Sequence, residues 1–332
     1  MTMAQHISRE RRFNSFASLI DTMWASLRVY WTEAESYQKL TYMVGGLMFV
    51  SALFHTGVFF FDDMPWVGAV SWRKPIVFGV SLGSTLLSLA WVLNFLPKRR
   101  RLNWGLMGIL SVSMSVEYGL IVMQVWRGVP SHFNYTTPFD VAVFAMMGTM
   151  IAIFGLICLV ITGMVLFTMN GSSSMVWAIR LGLLILALSQ FIGYMIVQNG
   201  TAQAFSESGQ YIRDVTETAS TFGAAGNIKV PHAITLHALQ VLPILAWLLL
   251  FSTWRERQRL LAVLIAGAGY IGLVAVTLIQ TFSGHATFDL SLLTFFLLAI
   301  SVATIIGPYL AALWALQQAV TTNERRYAPV GD

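Results

Sequence analysis

Five of the six histidines in this 332-residue chain, His55, His132, His232, His237 and His285, lie toward one end of a series of apolar runs. Neutral imidazole is a ligand for iron, copper and zinc, and it also carries protons. Arg73, Lys74, Arg127, Asp62, Asp63 and Asp140 stand near the same ends. Ionisable side chains at membrane depth are costly and mark sites. The pattern therefore locates a site and leaves its chemistry open.

His232 and His237 are five residues apart on one run. At about 100° per residue they point roughly 140° apart, so they do not chelate one ion together as an i, i+4 pair would. His237 lies about 7.5 Å deeper by helical rise and is the better buried ligand or proton carrier. His132 and His232 complete the candidate metal set. The bland reading of each is an interhelical hydrogen bond to Ser, Thr or Gln. His55 sits in the outer third of the first run. Glu117 sits in the outer half of the third, near Ser111, Ser113 and Ser115. A carboxylate there must be protonated, paired or hydrated, and Arg127 is roughly 15 Å further along the helix. The segment from Arg127 to Asn134 joins a cation, a histidine and two turn formers on irregular backbone, where binding residues concentrate. Arg73 and Lys74 in the first outer connection suit an anion or a lipid headgroup. His285 lies in the last outer loop.

Apolar residues make up 56% of the chain and charged residues 11%, and the mean hydropathy is +0.68. A soluble domain carries roughly twice that share of charge. The composition describes an all-α polytopic membrane protein with no room for a separate soluble domain. The single cysteine, Cys158, excludes an intrachain disulfide and Cys-based zinc or iron–sulfur sites. Eight runs are long enough to cross a bilayer: 40–61, 75–96, 104–126, 140–169, 176–198, 231–254, 260–282 and 290–317. Fifteen of the 20 Lys and Arg residues then fall on one side, among them Lys98, Arg99, Arg100, Arg101, Arg255, Arg257 and Arg259. The positive-inside rule makes that side cytoplasmic, with both termini, and short loops suit a bacterial inner membrane. Basic residues confined to short loops set orientation and argue against nucleic-acid binding.

The expected organisation is an interfacial segment at 1–39, a first four-helix unit at 40–170, a second at 171–320 and a cytoplasmic tail at 321–332. In the first segment Phe13, Phe16, Ile20, Met23, Trp24, Leu27 and Trp31 recur at helical spacing. They predict an amphipathic helix lying on the membrane surface or docked under the bundle. The connection at 199–230 is the only long one, and a partly helical cap is expected there.

Two segments echo each other. Gln124, Gly128, Phe139 and Asp140 recur as Gln280, Gly284, Phe288 and Asp289, and Lys74-Pro75 recurs as Lys229-Val230-Pro231. These predict two parallel four-helix repeats, an arrangement that puts shared sites between the halves. Aligning Pro75 with Pro231 sets His237 opposite Ser81 and His232 opposite Ile76. In outline the two four-helix halves resemble haem A synthase. The paired histidines on facing helices expected of that family are not reproduced, and no residue role is carried over. A GxGxxG string at Gly267, Gly269 and Gly272 lies inside a run with no strand before it, so it serves helix packing rather than a dinucleotide.

Three functions fit. The first is a redox protein or membrane enzyme with an outward-facing site that takes a transition metal, a haem or a lipid-like substrate. The second is a carrier or channel for a small or anionic solute, although the cytoplasmic halves of the runs offer little polar lining beyond Asn94, Thr162 and Gln190. The third is a non-catalytic assembly subunit, in which the histidines are hydrogen-bonded core residues.

Overall fold

The computed structural model describes residues 13–205 and 218–327. Arg9, Arg11, Arg12, Arg213 and the acidic part of the long connection, Glu207, Asp214 and Glu217, lie outside the described residues. The chain forms nine α-helices among those described. They are α1 (Phe16–Thr32), α2 (Ser36–Phe61), α3 (Arg73–Val92), α4 (Arg100–Trp126), α5 (Pro138–Thr168), α6 (Ser173–Ala204), α7 (Lys229–Leu250), α8 (Glu256–Phe282) and α9 (Leu292–Tyr327). Eight of them, α2 to α9, are long and apolar enough to cross a membrane. The protein is all-α and polytopic.

The helix ends follow from local chemistry. Ser15 caps α1 through a capping box, Thr137 caps α5 with Pro138 in its first turn, and Ser172 caps α6. Pro75 and Pro231 occupy first turns, where a missing N–H costs nothing. α4 and α8 end in the same way. Gly128 and Gly284 adopt φ of 67° and 72°. The Val129 N–H then reaches the Gln124 carbonyl and the His285 N–H reaches the Gln280 carbonyl, each at 3.1 Å. Glycine reaches this left-handed geometry without the penalty a side chain would bring.

Packing is dense within each set of four helices. α2 lies on α3 and α4, α3 on α4, and α4 on α5; α6 lies on α7 and α8, α7 on α8, and α8 on α9. Between the sets, α3 meets α7 and α5 meets α6. α2 and α3 approach until a Cβ on Gly83 would lie 2.9 Å from the Gly45 carbonyl oxygen. Hydroxyls pin the crossings. Tyr118 bonds the Pro75 carbonyl and the Ser51 hydroxyl, each at 3.0 Å, and Tyr270 donates to the Ile234 carbonyl at 2.6 Å.

α1 buries Leu19 and Ser26, and Ser26 accepts the Trp247 indole N–H at 3.1 Å. Leu19 packs with Phe251, Leu316 and Ala319. Phe16, Ile20, Trp24, Leu27 and Trp31 stay exposed. The described part of the long connection mixes helix and hairpin. α6 runs on to Ala204, a 3-10 turn covers Thr218–Ser220, and Thr221–Phe222 pairs with Gly226–Asn227 in a two-stranded hairpin. The Asn199 amide organises it by donating to the Ala219 and Thr221 carbonyls. The hairpin rests on the end of α8, where the Ala225 N–H bonds the Gly284 carbonyl at 2.9 Å.

The close crossing predicts that Gly83→Ala lowers stability by roughly 1–3 kcal/mol, the usual cost of overpacking. Gly46, which has nothing within 4 Å of its would-be Cβ, should tolerate alanine without loss. Thermal unfolding of both variants in the same detergent checks this; equal midpoints would reject the crossing.

Candidate functional site

The loop from Arg127 to Thr137 is built, not slack. Arg127 donates to the Asp140 carboxylate at 2.7 Å and to Gln124, and it lies over the Phe139 ring at 4.7 Å. Asp140, 2% exposed, also accepts from Gln124 at 3.0 Å and from Thr137 at 2.7 Å. Arg127 is thus engaged in fastening the loop to α5. Asn134 folds the middle of the loop, donating to the Pro130 carbonyl and accepting from the Thr136 N–H and hydroxyl.

One residue in this loop is strained. Phe133 has φ of 55°, the only non-glycine positive φ among the described residues. Such a conformation costs about 1–3 kcal/mol. The ring is buried against Ala204 and Ala219 and lies where Gly200 leaves no room for a side chain. Burying a phenylalanine returns roughly 1.5–3 kcal/mol, enough to offset the strain. The first half of the chain thereby inserts a loop into the second.

That insertion carries His132 to a cationic corner. Lys74, only 8% exposed, donates from Nζ to the Ala69 carbonyl at 2.7 Å and to Ser131 Oγ at 3.5 Å. Ser131 Oγ is 2.9 Å from His132 Nδ1. With the lysine donating to the serine, the serine proton is left for Nδ1. Phe78, Phe133 and Phe144 surround the imidazole with centroid separations of 5.7, 6.4 and 6.2 Å. Burial, and then the charges of Lys74 and Lys229, push the His132 pKa down to about 3. The ring is neutral at physiological pH, and Lys74 and Lys229 both act on it.

Below this corner runs a polar seam. Lys74, Ser81 and Ser88 are spaced by seven on α3 and so share one stripe. α7 presents His237 and Gln240 to it. Ser81 Oγ lies 3.5 Å from His237 Nε2, and Gln240 Nε2 donates to Ser88 Oγ at 3.0 Å. His232 turns the other way, toward α6. Its Nδ1 donates to the Ser189 carbonyl at 3.0 Å, and its ring would lie 3.0 Å from a Cβ on Gly193.

The remaining candidates lie in other settings. His55 Nδ1 donates to the Ser51 carbonyl at 2.7 Å, and Nε2 accepts the Trp126 indole N–H at 3.0 Å. Both nitrogens are engaged, and the ring stacks on Trp72, whose indole bonds Asp62. His285 is 56% exposed and pairs with Asp289 at 3.2 Å. Glu117 is 1% exposed, and its Oε2 has no hydrogen-bond partner among the described residues. Arg73 opens α3, its N–H donated to Ser71 Oγ. Among the described residues no three His, Cys, Asp or Glu side chains group as a metal site. His237, His132 and His232 are therefore not brought together as one ligand set. Ser131, Ser88 and Gln240 carried no signal as isolated residues; the spacing of Lys74, Ser81 and Ser88 did.

No protein-family model, curated protein or solved structure matches the chain.

The neutral His132 sets a pH dependence. In the unfolded chain the ring takes a proton near 6.5, and in the fold only near 3. Between these values the unfolded state binds more protons, so stability falls as pH drops below about 6.5, by at most about 1.4 kcal/mol per pH unit. His132→Gln should flatten the slope of melting temperature between pH 7.5 and 5. An unchanged slope would show that the ring titrates normally.

Proposed function

We propose that this protein is an integral membrane protein that binds an anionic solute or headgroup at its outward face, between two parallel four-helix repeats. The observation that carries the reading is the buried Lys74 ammonium, which reaches Ser131 Oγ beside His132 Nδ1, with the charge of Lys229 also acting on that ring. An anion entering there meets ammonium groups in a setting of low dielectric, where they act more strongly than in water. The neutral imidazole adds a hydrogen-bonding group without adding charge.

Several observations support the repeats. The helix contacts within α2–α5 recur within α6–α9. The caps at Gly128 and Gly284 correspond bond for bond. Ser81 and His237, aligned on sequence, touch each other, as equivalent positions near a two-fold axis do. The distribution of Lys and Arg supports cytoplasmic termini, and the short loops suit a bacterial inner membrane. The exposed apolar face of α1 supports a helix that dips into the cytoplasmic interface while Leu19 holds it to α7 and α9.

One observation favours a second reading, a metal or haem at His232. Its Nδ1 bond to a backbone carbonyl leaves Nε2 as the lone-pair nitrogen, the arrangement that orients a ligating histidine. Visible spectra and metal analysis of the purified protein, with and without His232→Ala, decide it. A pigment or stoichiometric metal lost in the variant favours it, and a colourless, metal-free protein removes it.

The anion reading is tested by thermal shift in a neutral maltoside detergent. Dodecyl phosphate at about 100 times its Kd should stabilise by roughly 2.7 kcal/mol, and dodecylphosphocholine should do far less. The double variant Lys74→Gln, Lys229→Gln should lose the response. An equal response in variant and parent would overturn the proposal.

A further inference from the structure

The cationic corner does not stand alone. The α3 stripe of Lys74, Ser81 and Ser88 descends from it along the meeting line of α3 and α7. By helical rise Ser81 lies about 10 Å and Ser88 about 21 Å below Lys74. Ser81, Ser84, Ser88, His237 and Gln240 are all part-exposed, and beside them Val77, Val80 and Ile244 are 49, 44 and 49% exposed. The seam therefore opens sideways toward the hydrocarbon along its length.

Its polar groups are incompletely used. Ser84 and Ser88 donate to backbone carbonyls one turn back. Gln240 spends Nε2 on Ser88, while its Oε1 is shielded from solvent and has no hydrogen-bond partner among the described residues. An amide end left unbonded at that depth is destabilising, and lipid tails cannot supply the missing bond. A ligand group can.

We propose that the ligand of this site is a single-chain amphiphile, with its anionic head at Lys74, Lys229 and His132 and its chain in the α3/α7 seam. A hydrogen-bonding substituent on that chain meets Gln240 and His237. This rests on the anion reading and narrows it from any anion to a membrane-borne one. Entry is lateral, from the leaflet that bathes Val77, Val80 and Ile244. A free phosphate fills only the upper end of the site.

Three probes separate the possibilities: inorganic phosphate, hexadecyl phosphate, and hexadecyl phosphate carrying a hydroxyl near the far end of its chain. Binding is followed by thermal shift in neutral detergent. The hydroxylated chain should bind roughly 3- to 10-fold more tightly than the plain one, the worth of one net hydrogen bond. Gln240→Leu should remove that increment and leave plain hexadecyl phosphate unaffected. A second measurement does not depend on the variant folding. A hexadecyl phosphate with a terminal diazirine, photolysed in neutral lipid nanodiscs, should label peptides covering 81–88 and 237–244. Labelling confined to the lipid-facing surface of α9 would overturn the seam as the binding path. Equal affinity of the plain and hydroxylated chains would overturn the role of Gln240 while leaving the anion site intact. Binding of inorganic phosphate alone would reduce the site to its upper end. Failure of all three probes would remove the anion reading and this extension with it.

Discussion

Inside hydrocarbon a polar side chain has only protein to bond to, and this bundle obeys that constraint almost everywhere. Thr41, Thr56, Thr85, Thr162 and Ser301 return their protons to carbonyls one turn back on their own helices. Gln38 reaches across to the Ala90 carbonyl, and Tyr309 reaches the Val241 carbonyl. Arg180, near the other end of the bundle, closes the last turn of α5 by donating to the Leu166 carbonyl at 2.9 Å. Such bonds consume polar capacity without creating a site. The seam between α3 and α7 is different in kind, because polar groups from both halves face each other there and remain part-exposed.

The same constraint explains why the helices were readable and the side-chain partners were not. Every span in the sequence is a long apolar run closed by Pro, Gly or charge, and the structure returns all eight within a few residues. Patterning cannot tell which way a ring turns at a given depth. His55 was a site candidate on depth alone, yet Ser51 and Trp126 occupy both of its nitrogens. Arg127 was weighed against Glu117 along α4. It instead bonds Asp140, which is distant along the chain but adjacent once the loop folds back. The five histidines looked convergent because they lie toward one end of the apolar runs. In three dimensions they fall among different neighbours, since helix rotation, and not depth, decides what each ring meets.

What the sequence did carry was the shared ending of α4 and α8. Gly128 and Gly284 have no local signature that distinguishes them from other loop glycines. Their value lies in sitting at matching distances after Gln124 and Gln280, and the matching caps follow from that spacing. Phe133, by contrast, has no counterpart that could have flagged its backbone. Its strain becomes intelligible only once Gly200 and Ala219 are known to enclose the ring. A left-handed phenylalanine survives where the packing around it admits no other arrangement.

On the reading of two repeats, the asymmetry at their meeting line has a physical origin. A residue on a two-fold axis in an exact repeat must be complementary to itself. Two serines at the Ser81 position would be too short to span the gap between α3 and α7, and two imidazoles would be too bulky for it. Ser81 against His237 supplies one short and one long partner and couples a hydroxyl to a ring nitrogen. One helical turn out of register, Gln240 reaches past the axis to Ser88 instead of to its own equivalent, Ser84. Divergence of the two halves thus turns a self-contact into a directional one. It also concentrates the ring and the amide on α7 while α3 keeps the small hydroxyls.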